Sequence, residues 1–175
     1  MDAIRTQVTI ERPPAEIYEY LLDVANYPEF LDHFLVDWHL TREDTYGIGA
    51  GARFKVDGKD RFAWGDLTLV EATKPVSITL RGRGGRFNRI RTVYAFQFIP
   101  NATGVSTDVV LDVERDASAP FDRMRDAFGG RWSDKRRWRR ALGRLDGIIT
   151  RGEGHGKRVS VSGGPRKPAT NSPLR

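Results

Sequence analysis

The sequence contains no cysteine, which excludes disulfides, thiolate metal sites and cysteine nucleophiles. No stretch approaches the roughly 20 consecutive apolar residues of a membrane-spanning helix. Met1 to Arg5 shows no cationic segment leading into an apolar run, so the expectation is a cytoplasmic protein without a secretory leader. Histidine is scarce. His33, His39 and His155 fall in a loop, on an outward strand phase and near the end of the chain, and they assemble no acid–base constellation. No spacing of ligating residues suggests a metal. Gly47-Ile48-Gly49-Ala50-Gly51 is not followed by a helix that could receive a pyrophosphate, so it is not a dinucleotide loop. No catalytic residue, metal or cofactor is therefore assigned.

Charge is present in quantity but unevenly placed. Residues 1–117 hold 14 Lys/Arg against 18 Asp/Glu, residues 118–151 hold 10 against 4, and residues 152–175 hold 5 against 1. The basicity thus belongs to one segment and a tail. In that segment Phe121, Met124, Phe128, Trp132, Trp138, Leu142, Leu145 and Ile149 recur at steps of three and four, which predicts a long helix from Ser118 to about Thr150. Ser118 and Pro120 suit its start and Gly152 its stop, while Gly129-Gly130 predicts a kink. Lys135 falls on the apolar stripe, either as a buried amine or, after a phase shift at the glycines, at the rim.

Upstream the period is two. Ile4, Thr6, Val8 and Ile10 read as a half-buried strand, and Pro13-Pro14 opens a short helix through Leu22. A second short helix starts at Tyr27-Pro28. Strands follow with Phe34, Val36, Trp38 and Leu40 inward, then Ala52, Phe54 and Val56. For residues 61–71 two phases stay open: Phe62, Trp64 and Asp66 inward, or Ala63, Gly65 and Leu67, with Gly65 a possible bulge. Three more strands carry Val76 to Leu80, Ile90 to Phe98, and Val105 to Val113. Short turns between them imply antiparallel pairing. Residues 152–175 lack apolar residues to bury and read as a disordered basic tail after a domain of residues 1–151.

Ile10-Glu11-Arg12-Pro13-Pro14-Ala15-Glu16-Ile17-Tyr18 and Tyr27-Pro28-Glu29-Phe30 resemble the START-like superfamily, in particular its polyketide cyclase/dehydrase branch. Leu69 to Pro75 is similar to that branch's Val-x-Glu-x-x-x-Pro turn. Phe96-Gln97-Phe98-Ile99-Pro100 with Gly104-Val105-Ser106-Thr107 is similar to its Phe-x-Leu-x-Pro hairpin. The resemblance implies an α+β helix-grip fold: a curved antiparallel sheet wrapped around a long C-terminal helix, with two short helices after the first strand. It also implies a hydrophobic small-molecule ligand of polyketide, lipid, sterol or quinone type. Tyr27 to Leu31 is similar to the same turn in coenzyme Q-binding members.

Trp38, Phe54, Tyr94, Thr107, Met124, Phe128 and Trp132 are the expected lining of such a cavity, large rings with the hydroxyls of Thr92, Tyr94 and Thr107 among them. A carrier or sensor is the first reading. A cyclase or dehydratase is the second, and Asp66 enters it only if the Trp64 phase is inward. A third reading is an electrostatic module on an anionic membrane, through Arg136, Arg137, Arg140, Arg144 and the tail. The Arg81 to Arg86 glycine-arginine loop reads as solvated charge, and without an outward aromatic platform on the sheet nucleic acid is not the expected partner.

Overall fold

The computed structural model describes residues 2–57, 64–85, 89–117, 131–153, 159–161 and 164–166. Seven strands form a curved antiparallel sheet in the order β1-β7-β6-β5-β4-β3-β2. They are β1 (Asp2–Ile10), β2 (Leu35–Leu40), β3 (Gly51–Val56), β4 (Trp64–Thr73), β5 (Ser77–Gly84), β6 (Ile90–Pro100) and β7 (Thr107–Ala117). After β1 come α1 (Pro14–Leu22), a 3-10 turn (Val24–Asn26) and α2 (Tyr27–Leu31). After β7 comes α3 (Arg131–Arg151). This is the helix-grip arrangement that the resemblance implies.

Proline governs the start of both short helices, its fixed φ suiting the first turn. Between them the Asp23 carboxylate accepts from the Ala25 N–H at 3.0 Å and caps the 3-10 turn. At the far end of α3, Gly152 takes φ +69° and its N–H donates to the Ile148 carbonyl at 2.9 Å, the left-handed cap expected there. The predicted first turns, with Ser118, Pro120 and the Gly129-Gly130 kink, lie outside the described residues.

Alternation along β1, β3 and β5–β7 matches the expected inward faces, except that Val76 and Val105, expected at the starts of β5 and β7, lie in the preceding turns and are exposed. Two strands carry a bulge that shifts their inward phase. In β2 the pairing with β3 shifts between Val36 and His39, with Asp37 at φ +54°, so Leu35 and Trp38 are buried while Val36 is half-exposed. In β4 the shift lies between Leu69 and Glu71, not at Gly65. Gly65, Leu67 and Leu69 face inward, which settles the open phase and turns Trp64 and Asp66 outward.

Trp138, Ala141, Leu142, Leu145 and Ile148 of α3 are buried against the sheet and α2. Each large side chain among them contributes about 1.5–3 kcal/mol. Lys135 is exposed, and the position one turn before Trp138 on the inward side belongs to Asp134. Of the four arginines expected on the free face, Arg136 and Arg140 are exposed and Arg137 is half-buried. Arg144 is a correction. Its guanidinium lies 2.7 Å from Asp32 Oδ1 and donates to the Glu29 carbonyl at 2.9 Å, so it fastens α2 to α3 rather than facing solvent. Two short strands of the tail extend the sheet beyond β2. β8 (Val159–Val161) pairs parallel to β2 at His39, and β9 (Gly164–Arg166) pairs with β8.

Candidate functional site

Register brings the inward residues of the strands into rows across the sheet. One row runs Val113, Tyr94, Leu80 and Leu69; the next runs Arg115, Thr92, Gly82 and Leu67. A third holds Gly84, Gly65 and Phe54. The inner face between Phe54 and Thr92 therefore bears no side chain at Gly65, Gly82 or Gly84. At Gly82 this is obligatory, since an added Cβ would stand 2.0 Å from the Asp66 carbonyl oxygen of the neighbouring strand.

Rings border this floor, and the Phe54 ring lies over Gly65, 3.0 Å from where a Cβ would stand. Trp38 lies 5.0 Å from Phe54, its indole N–H donating to the Leu35 carbonyl at 2.7 Å. Tyr94 lies 5.5 Å from Trp138, which meets Phe34 edge-on at 5.0 Å. Trp138 is 3% exposed, and its indole N–H has no hydrogen-bond partner among the described residues. Such a donor leaves a cost of about 1–3 kcal/mol uncompensated unless something else accepts from it.

Polar groups cluster at the same end. Burial holds the Tyr94 phenol above its ordinary pKa, against the opposing effects of the Arg115 charge and a hydrogen bond with Thr92. The phenol is therefore neutral and able to donate at physiological pH. Arg115, directly across from Thr92, is paired with Asp134 in the first turn of α3 at 2.5 Å, and both are partly accessible. A neutral hydroxyl, an indole N–H and a guanidinium can together hold an acceptor oxygen on an otherwise apolar molecule.

Of the expected lining residues, the structure groups Trp38, Phe54 and Tyr94 on the inner face towards one end of the sheet. Thr107 is also inward but lies six residues before Val113 on β7, roughly 20 Å away along the strand. It is fully buried, and its hydroxyl donates to the Arg12 carbonyl at 2.8 Å, so it closes the opposite end of the fold. Met124 and Phe128 lie outside the described residues. Trp132 falls in α3, and its side chain is likewise outside them. Sequence reasoning did not select Arg115, Asp134 and Trp138, which the structure brings together with Tyr94. One signal was available: Arg115 continues the inward alternation of Val109, Leu111 and Val113, a charge where an apolar residue is due.

No curated protein matches this chain. Among solved structures it is similar to a protein of Thermus thermophilus, at 13% identity and TM-score 0.66, covering 86% of this chain and 99% of that one. It is similar to the KanY protein at 18% identity and TM-score 0.68, covering 85% and 97%. It is similar to norcoclaurine synthase from Thalictrum flavum at 8% identity and TM-score 0.63, covering 86% and 87%. At these identities the likeness concerns the fold. The family model described as polyketide cyclase/dehydrase and lipid transport matches residues 1–148. The chain belongs to the polyketide cyclase/dehydrase and lipid transport family.

Proposed function

We propose that this protein binds a hydrophobic small molecule of polyketide, lipid or quinone type between its sheet and α3, as a carrier or sensor. Family and fold support a hydrophobic ligand-binding or cyclase role in general. The observation that carries the proposal is the buried indole N–H of Trp138, which has no partner among the described residues, beside the neutral Tyr94 phenol. A core built only for stability gains nothing from a desolvated donor, whereas a ligand carbonyl or hydroxyl oxygen would accept from it. Native mass spectrometry of the protein purified from its own host tests this. A co-purifying apolar molecule at one per chain is the expected result. No bound mass, together with no one-to-one uptake of a hydrophobic fluorescent probe, would overturn it.

The Arg115–Asp134 pair beside Tyr94 favours a second reading, a cyclase or dehydratase. There the carboxylate would act as a base and the phenol as a donor to a developing oxyanion. Asp134→Asn separates the two. A carrier keeps its ligand affinity within a few-fold, whereas an enzyme loses turnover while still binding.

A further inference from the structure

The outer face of the sheet presents a cationic surface with an aromatic centre. Trp64, turned outward by the phase of β4, is half-buried, and the Arg53 guanidinium stacks over its ring at 5.2 Å. The His39 ring lies 6.4 Å from it on the far side of β3. Lys55 is directly opposite Trp64 in the β3–β4 pairing, and Arg81, Arg83 and Arg91 lie on the same face of β5 and β6. Arg53, Arg81, Arg83 and Arg91 are exposed and Lys55 half-exposed. None of these five makes an ion pair among the described residues. The carboxylate among them, Asp66, accepts the Arg83 backbone N–H at 2.7 Å.

Two features set this surface apart from ordinary solvated charge. Arg83 and Arg91 are direct cross-strand partners, a like-charge opposition that weakens a sheet. Cations also predominate on β3–β6, where Arg53, Lys55, Arg81, Arg83 and Arg91 stand with the carboxylates Asp66 and Glu71, while β7 places Asp116 directly across from Arg91 and carries Asp108, Asp112 and Glu114. Adjacent strands are about 4.8 Å apart, so the basic zone from β3 to β6 is roughly 14 Å wide. That width suits a single chain of phosphates, and the indole–guanidinium stack offers flat surfaces for bases. A bilayer fits less well, because the exposed apolar residues lie at the opposite end of the sheet, Ile48, Val76 and Val105 in turns and Val70 and Ile99 in the far halves of β4 and β6.

We propose that the outer face of β3–β6, centred on Trp64, Arg53, Arg83 and Arg91, binds single-stranded nucleic acid. This site is separate from the inner-face ligand site and does not depend on it.

The test is fluorescence anisotropy of the full chain with labelled oligouridine and oligothymidine, which also separates RNA from DNA. Flotation with phosphatidylcholine vesicles, with and without phosphatidylglycerol, runs alongside. Binding is expected at low salt and weakens as salt rises. The double variant Arg83→Ala/Arg91→Ala should reduce affinity about tenfold and flatten the salt slope by about 1.4, at roughly 0.7 per lost phosphate contact. Lys135→Ala/Arg136→Ala, which removes the same charge from α3, should leave affinity unchanged. Trp64→Leu should lose the tryptophan quenching seen on binding; if it does not fold, Arg53→Ala should lower affinity severalfold instead. The proposal fails if neither oligonucleotide binds at low salt, or if the α3 double variant loses as much as the sheet variant. It fails equally if the same arginines support vesicle binding or self-association but not oligonucleotide binding.

Discussion

The Arg144 guanidinium lies 2.7 Å from the Asp32 carboxylate, with side chains only 21% and 14% exposed. Together with its bond to the Glu29 carbonyl, this contact joins the end of α2 to the middle of α3. Removing the cation strands a partly buried carboxylate. Arg144→Ala should therefore cost about 2–3 kcal/mol, near the lower end for broken buried pairs because some solvent reaches it. Arg136→Ala, on the exposed side of the same helix, should stay within about 0.5 kcal/mol. Urea midpoints of the two variants provide the comparison.

The close approach of β4 and β5 at Gly82 sets a second expectation. With backbone 2.0 Å from a would-be Cβ, no side chain can move aside to relieve the clash. Gly82→Ala should destabilise by about 2–3 kcal/mol and disturb the pairing around Leu67. A thermal melt within a degree of wild type would show that the strands can separate freely there.

Trp138→Phe separates packing from donation. The phenyl ring retains most contacts with Phe34 and Tyr94 but removes an N–H that has no partner among the described residues, so stability should change by less than about 1 kcal/mol. Affinity for a ligand with an acceptor oxygen should fall about tenfold, while a purely hydrocarbon probe binds as before. Equal effects on both ligands would mean that the N–H makes no contact.

Thr107 gives the opposite pattern, since its hydroxyl serves the Arg12 carbonyl rather than the site. Thr107→Val should cost about 1–2 kcal/mol of stability and leave probe affinity unchanged. Weakened probe binding in a stably folded variant would return Thr107 to the lining.

His33 supplies a pH dependence. Burial is the main cause holding its pKa below the ordinary value, with Arg144 and Arg140 adding repulsion, although its ring nitrogen contacts the Arg137 carbonyl at 3.2 Å. A depressed folded-state pKa means that the unfolded chain binds the proton more readily. The stability His33 contributes is then present above about pH 6.5 and is lost as pH falls through the folded value. Glu29 shifts the other way, raised chiefly by burial, so its contribution is present at low pH and lost as pH rises through its folded value. His33→Gln should flatten the loss of urea stability between about pH 7 and about pH 5. An unchanged slope in the variant would assign that loss to another group.

Local chemistry alone determined much of this protein. Proline placed the starts of α1 and α2, Gly152 ended α3, and alternation marked the inner faces of β1, β3 and β5–β7. Each of these depends on backbone conformation or on neighbours within a few residues. Tertiary structure decided what depended on register. The bulges at Asp37 and Val70 each insert a residue against a partner strand, and no periodicity within one strand reveals that. The second bulge lies beyond Gly65 and Leu67, so it was cross-strand pairing that turned Trp64 outward beside Arg53. Asp134 and Arg115 are 19 positions apart and Asp32 and Arg144 are 112 apart. Such charges find partners only when helix and sheet close on each other, which is why the sequence could count them but could not pair them.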